Sequence, residues 1–237
     1  MTKALLSQRG VEFDAMDVAN DPSAMEALRA LGIASVPAVV VGDGEHWMTG
    51  WNPSRLAQLV GFAYEERAAA PEELIGSIGQ IVEAALRALA EVPPDAWDFT
   101  VNDRKRPIRE LGRHVFDVVE RGVDADVLDQ FPANRWLLGH DTPALIGARL
   151  IRYGEAARQK FAAWYTEPLD PKAFARTIDA DVGPRTLTQV LERTRLHAGQ
   201  HLRQIYAMLE MNGVSPRDRL TDDDLRRLGL DLPADVF

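Results

Sequence analysis

Apolar residues recur every three or four positions through most of the second half of the chain, which predicts amphipathic helices. Four such segments, each with one apolar face, favour a four-helix bundle. The tail from Asp222 to Pro233 is expected to pack a short helix and an extended end against it. The four predicted helices run from about Pro71 to Glu91, Pro107 to Arg121, Pro143 to Tyr165 and Thr186 to Met211.

The first sixty residues follow a different pattern, in which helix and strand signals alternate. An apolar run from Pro37 to Val41, the turn Gly42-Asp43-Gly44 and a returning arm from His46 to Thr49 predict a β-hairpin. We therefore predict a small α/β domain at residues 1–63, a linker at 64–71 and an all-helical domain at 72–237. The other predicted elements are a strand over Val11 to Val18 and helices over Pro22 to Leu31 and Pro53 to Val60.

Three of the five histidines lie in the apolar stripes of predicted helices. Positions i and i+4 stack on one helical face, so His197 and His201 can direct their rings at one point. His114 follows the stripe of Ile108 and Leu111 on an earlier helix. An imidazole that faces a core is costly unless its nitrogens are engaged, which favours a shared divalent metal. The alternative is three separate hydrogen-bonded core histidines.

The chemistry of such a site follows from its ligands. Three neutral imidazoles leave an open position on a tetrahedral ion, and all-nitrogen ligation makes zinc the first choice, with nickel, iron and manganese as alternatives. The remaining histidines, His46 and His140, lie in turn-like surroundings and are expected at the surface.

Composition limits the binding partners and the cellular location that we expect for the protein. A net charge of −9 opposes binding to nucleic acid or to an anionic membrane, and no apolar run reaches the length of a membrane span. The first residues lack the apolar region of a signal peptide, so we expect a cytoplasmic protein. With no cysteine in the sequence, any thiol chemistry requires a small-molecule thiol.

The second half resembles the DinB/YfiT-like superfamily of metal-binding four-helix bundles. His114, at the end of the segment that starts at Pro107, and the His197-Ala198-Gly199-Gln200-His201 motif match the triad of that family. The C-terminal sequence from Leu220 through Leu225 to Leu232-Pro233 is also similar to members of the family. Some members look like metal-dependent transferases or isomerases that use mycothiol, bacillithiol or glutathione. The resemblance therefore implies a metal centre at His114, His197 and His201 that acts on a thiol and an electrophile.

The first half resembles a glutaredoxin or NrdH-type redoxin, through Lys3 to Phe13 and Gly44 to Pro53. Ser35-Val36-Pro37 matches the cis-proline loop of thioredoxin-like folds. The resemblance implies that Val36, Pro37, Gly50 and Trp51 contact a small thiol. The first strand and the Cys motif of the family would precede Met1. Either Met1 is a mistaken start, which we favour, or the domain has become a binding or packing module.

Basic residues cluster at the start of the second predicted bundle helix. Guanidinium groups pair with carboxylates, so Arg109 and Arg113 could hold an acidic thiol near the metal; the alternative is a solvated helix face. Glu110 and Asp117 lie within a turn of His114 and are candidate hydrogen-bond acceptors for its ring. The whole basic cluster is Arg104, Lys105, Arg106, Arg109 and Arg113.

Three functional hypotheses remain open at this point. The first is a metal-dependent transferase or isomerase that uses a small thiol. The second is a non-catalytic bundle, stabilised by a metal, whose redoxin-like part docks a protein partner. The third, which requires a corrected start, is a glutaredoxin fused to a thiol-dependent transferase. Apolar helical faces can also support a homodimer.

Overall fold

The computed structural model divides the chain into two compact units, Met1–Arg67 and Ala68–Phe237. The first is a small α/β unit and the second is a helical bundle, which confirms the predicted two-domain fold class. The structure describes residues 2–18, 21–33, 36–50, 52–64, 69–101, 106–131, 145–165, 169–180, 183–230, 232 and 236.

The first unit contains three helices and one antiparallel hairpin among its described residues. In the hairpin Val39 lies opposite Met48, and Met48 packs with Leu6 and Leu56 in a small core. The hairpin and both predicted helices are confirmed, and the Val36–Pro37 peptide bond is cis as predicted. The elements are α1 (Thr2–Gln8), α2 (Pro22–Ala30), β1 (Ala38–Val41), β2 (His46–Thr49) and α3 (Pro53–Val60).

The strand predicted over Val11 to Val18 is wrong. This segment has no regular secondary structure up to a turn at Val18, and residues 12–17 are all exposed. A strand needs a hydrogen-bonded neighbour and an apolar layer to face. The described strands of this unit, β1 and β2, pair with each other and leave Val11 to Val18 without a ladder partner.

The second unit has the four predicted long helices. The helix that starts at Ile108 runs to Leu128, two turns beyond its predicted end, whereas the predicted start of the next helix at Pro143 lies outside the described residues. A two-residue strand pair also departs from the all-helical prediction. The elements are α4 (Pro71–Ala90), α5 (Ile108–Leu128), α6 (Gly147–Trp164), α7 (Pro171–Phe174), β3 (Thr177–Ile178), β4 (Arg185–Thr186), α8 (Leu187–Met211) and α9 (Asp222–Arg227).

The bundle has α4 and α5 on one diagonal, each packed against both α6 and α8. Glycines allow the closest approaches. A Cβ on Gly154 of α6 would lie 2.8 Å from Leu86 Cδ2 and would also clash with the Phe116 ring. A Cβ on Gly122 of α5 would lie 2.9 Å from Thr194 Oγ1 of α8. The pair α5 and α8 therefore comes together tightly, and these two helices carry the three inward histidines.

The described helices include none that is both long and apolar enough to cross a membrane.

Candidate metal centre

The three predicted histidines meet between α5 and α8. Their ring centroids are 5.1 Å apart for His114 and His197, 4.9 Å for His114 and His201, and 4.7 Å for His197 and His201. Each ring offers one nitrogen, and these three nitrogens all lie within 4.8 Å of one another. Two separate stretches of sequence thus converge on one point.

Local sequence fixes how the two helices present these rings. At the start of α8 the Thr186 hydroxyl accepts a hydrogen bond from the Gln189 backbone N–H, and the Gln189 side chain accepts one from the Thr186 N–H. This capping box determines where the helix begins and therefore which face His197 and His201 occupy. Pro107 precedes α5 and Gly122 permits its contact with Thr194, which sets the position of His114 against α8.

Removal from water keeps the three imidazoles neutral, with the His201 ring buried and the His114 and His197 rings half-buried. It is the largest cause that lowers the pKa of His114 to about 2, that of His197 to about 3 and that of His201 to about 4. The neighbouring rings also lower the pKa values of His114 and His197. A neutral imidazole has a free lone pair on one ring nitrogen, which is the form that binds metals.

Gln204 fixes the orientation of the His201 ring, a role that the sequence analysis missed. Gln204 Nε2 donates to the Val236 carbonyl at 3.1 Å, so its Oε1 accepts from His201 Nδ1 at 2.8 Å. The proton therefore sits on Nδ1 and the lone pair on Nε2. His201 Nε2 is buried and has no hydrogen-bond partner among the residues that the structure describes. Gln200 Nε2 also donates to the Val236 carbonyl, at 2.9 Å.

The two carboxylates predicted near His114 are engaged elsewhere. Asp117 accepts from the Tyr153 hydroxyl at 2.6 Å and lies 3.4 Å from Arg113 Nε. Glu110 lies 3.3 Å from Arg109 Nη1. The hydrogen bonds described for these carboxylates thus lie along α5 and toward α6. The acceptor found beside the triad is Gln204, three residues after His201, and this i+3 spacing was the available sequence signal.

The predicted basic cluster divides in the structure. Arg109 and Arg113 pair with carboxylates, Arg109 with Asp98 at 2.5 Å and with Glu110, and Arg113 with Asp117. Their contact with a thiol stays a prediction. Arg106 lies within electrostatic reach of all three histidines. Arg104 and Lys105 lie outside the described residues.

Two further arginines near the triad were not predicted. Arg121 affects His114 and His197 electrostatically, and Arg193 affects His197. Arg121 comes seven residues after His114, and Arg193 comes four residues before His197. Both spacings return a residue to the same helical face, so helical periodicity was the signal that could have found them.

The redoxin-like residues predicted to contact a thiol lie around the hairpin. Val36 and Pro37 are exposed beside β1, and the Gly50 N–H donates to the Pro37 carbonyl at 2.8 Å. Gly50 has φ 73°, a conformation that favours glycine. Trp51 lies outside the described residues, as does His140, whereas His46 is exposed as predicted. A thiol contact at this loop stays a prediction.

The residues present fit a divalent cation. Nitrogens bound to a tetrahedral ion at about 2.0–2.1 Å lie about 3.3 Å apart. The three histidine nitrogens lie within 4.8 Å of one another, which is close to that spacing. A cation would also bind the buried His201 Nε2, which is unsatisfied among the described residues. This matters because a buried polar atom without a partner costs stability.

A helical bundle whose facing helices bring histidines together in its interior has the arrangement with which such bundles hold metal ions. Comparison with family models gives the particular family. The model of the DinB superfamily matches residues 78–205, more than half of the chain, and the chain belongs to that superfamily. The glutaredoxin family model matches residues 1–47, from α1 into β2. Neither the curated proteins nor the solved structures gave a match.

Proposed function

We propose that this protein is a metal-dependent transferase or isomerase that uses a small-molecule thiol and holds its cation on His114, His197 and His201. The observation that carries this proposal is the convergence of three neutral rings, one of which has a buried nitrogen without a hydrogen-bond partner in the described part of the chain. Zinc is the first choice for all-nitrogen ligation, and nickel, iron and manganese are the alternatives.

The cysteine content of the sequence supports the proposal that the thiol is a small molecule. None of the 237 residues is a cysteine, and we propose that the thiol nucleophile is a small molecule from solution. A divalent cation held by the triad would lower the pKa of a thiol bound to it, so that the sulfur would be a nucleophile near neutral pH. The predicted setting is the cytoplasm, where thiols are kept reduced.

The protein's own residues supply position and environment. Partial or full burial keeps the three imidazoles as lone-pair donors, and the contact of Gln204 with His201 Nδ1 leaves Nε2 as the lone-pair nitrogen of that ring. The apolar packing of α5 against α8 limits water around them, which strengthens electrostatic interactions in the site. In the first unit, Val36, Pro37, Gly50 and Trp51 are proposed to contact the same class of thiol.

Metal analysis and cobalt substitution test the proposal. We expect gently purified protein to contain about one divalent metal per chain and cobalt-loaded protein to show a sulfur-to-cobalt absorption band when a thiol is added. His114→Ala should abolish metal binding, whereas His46→Ala, at an exposed histidine, should leave it intact. The metal centre would be contradicted by protein that contains no metal after purification and whose stability is the same with and without a chelator.

The same variants distinguish a catalytic from a structural metal. In a catalytic centre His114→Ala abolishes the thiol-induced band and any turnover at a modest stability cost. In a non-catalytic bundle that docks a protein partner, the same substitution lowers the melting temperature sharply, and the cobalt spectrum of the unsubstituted protein does not respond to thiols.

A further inference from the structure

The C-terminal segment, of which the structure describes residues 228–230, 232 and 236, returns to α8, the helix that carries two of the three histidines. The Leu228 carbonyl accepts from Arg195 Nη1 at 3.1 Å, and Arg195 is almost fully buried. Leu230 is also buried, and a Cβ on Gly199 would come within 2.8 Å of Leu230 Cδ2. The segment therefore packs closely on the stretch of α8 that contains His197.

The Val236 carbonyl makes the contact of this segment that leads to the triad. It accepts from Gln200 Nε2 at 2.9 Å and from Gln204 Nε2 at 3.1 Å. A carbonyl oxygen has two lone pairs, so these two donors engage it fully. Gln200 and Gln204 are about one turn apart on α8, and His201 lies between them in the sequence.

The same carbonyl decides which way the Gln204 amide faces. A side-chain amide has a donor end and an acceptor end, whereas a carbonyl can only accept. The amide nitrogen must therefore face Val236, which leaves Oε1 toward His201 Nδ1, 2.8 Å away. If the amide faced the other way, its nitrogen would donate to Nδ1, and the ring proton would move to Nε2. A protonated Nε2 has no lone pair for a cation.

We propose that the C-terminal segment controls the affinity of the metal centre for its cation. When the segment is docked on α8, the Val236 carbonyl orients Gln204, and this amide keeps the lone pair of His201 on Nε2. The inference rests on the proposed function, because it describes how that same metal centre is regulated. Docking of the segment and binding of the cation favour each other by the same factor, since a coupling free energy between two sites is reciprocal.

Nitrogen NMR of the metal-free protein tests the first step without any cation. We expect the His201 ring to carry its proton on Nδ1, with its signals assigned by comparison with His201→Gln. In a variant that lacks Val236 and Phe237, the ring should change to the other tautomer or to a mixture of the two. Val236→Ala keeps the backbone carbonyl, so it is the matched control and should leave the proton on Nδ1.

Cobalt titration tests the second step. The variant that lacks residues 236 and 237 should bind cobalt about threefold to tenfold more weakly, a smaller loss than the roughly 10- to 100-fold expected when an outer hydrogen-bond partner is removed altogether. Gln204→Glu separates orientation from packing, because a carboxylate accepts from Nδ1 whichever way it faces. In the Gln204→Glu protein, loss of residues 236 and 237 should change cobalt affinity by less than about twofold.

Reciprocity gives a test on the unaltered protein. Carboxypeptidase Y can remove Val236 only when the segment leaves α8, so about one equivalent of zinc should slow the loss of this residue about threefold to tenfold. His114→Ala removes a ligand on α5, and it should abolish this protection. Leu230→Ala keeps the whole chain and weakens the packing on Gly199, so it should lower cobalt affinity if the shortened protein does not fold.

The outcomes separate this inference from the proposed function. Protein that binds neither cobalt nor zinc refutes the metal centre and the coupling with it. If cobalt binds, and the shortened variant keeps both the Nδ1 tautomer and the original cobalt affinity, the metal centre stands and control by the C-terminal segment is overturned. If shortening lowers cobalt affinity equally with Gln204 and with Glu at that position, the segment acts through packing alone, which also overturns the inference.

Discussion

Acidification should destabilise the metal-free bundle through its three interior histidines, of which His201 is buried and His114 and His197 are half-buried. An unfolded histidine has a pKa of about 6.5, whereas the folded pKa values are about 2, 3 and 4 for His114, His197 and His201. Because the folded values are lower, the unfolded state binds more protons as pH falls below about 6.5. The contribution to stability is therefore full above that pH and is lost progressively as the pH falls from about 6.5 until the three folded values have been passed.

The magnitude follows from the same pKa values. At about pH 7.5 the unfolded histidines are nearly neutral, and at about pH 5.5 they are nearly all protonated, while the folded rings remain neutral at both. Each histidine then costs about 1.4 kcal/mol of unfolding free energy over this interval, and three cost about 4 kcal/mol. This is a large fraction of the stability of a typical domain.

Urea unfolding of the metal-free protein, followed by helical circular dichroism at both pH values, measures this change. His114→Gln should reduce the pH dependence by about 1.4 kcal/mol. His46→Gln, at an exposed histidine in the first unit, should leave the dependence of the bundle unchanged. Stability that is equal at the two pH values, or a His114→Gln variant with the unsubstituted dependence, would show that the rings are not buried as neutral groups.

Two further predictions concern Gln204, which orients the His201 ring, and the packing of the bundle core. Gln204→Leu should weaken cobalt binding about 10- to 100-fold, because the His201 ring loses the hydrogen bond that orients it. Gln200→Leu, which also removes a hydrogen bond to the Val236 carbonyl, should leave cobalt binding unchanged. Equal losses of cobalt affinity in the two variants would show that Gln204 does not position the ring. Gly154→Ala should cost about 1–3 kcal/mol by overpacking, measured by urea unfolding. The control is Gly76→Ala on the exposed face of α4, which should stabilise the bundle by about 0.5–1 kcal/mol. If Gly154→Ala leaves the unfolding free energy unchanged, α6 packs less closely than the structure shows.

Periodicity was a reliable guide where an element is stabilised mainly by its own hydrogen bonds. The apolar stripes of α4, α5 and α8 predicted helices whose starts agree with the structure to within one residue. It failed over Val11 to Val18, because a strand depends on a partner that the local sequence does not specify. The end of α5 was predicted too early for a related reason, since packing carries the helix on to Leu128.

The sequence alone determined that His197 and His201 share one helical face and that His114 lies on the apolar face of another helix, because a spacing of 3.6 residues per turn is a local property. Only the tertiary structure decided that the two faces meet, that Gln204 orients His201, and that Arg121 and Arg193 stack on Phe131. Contacts between distant segments depend on how side chains interlock across helices, as at Gly122 and Thr194, and this complementarity is not a periodic feature of either segment.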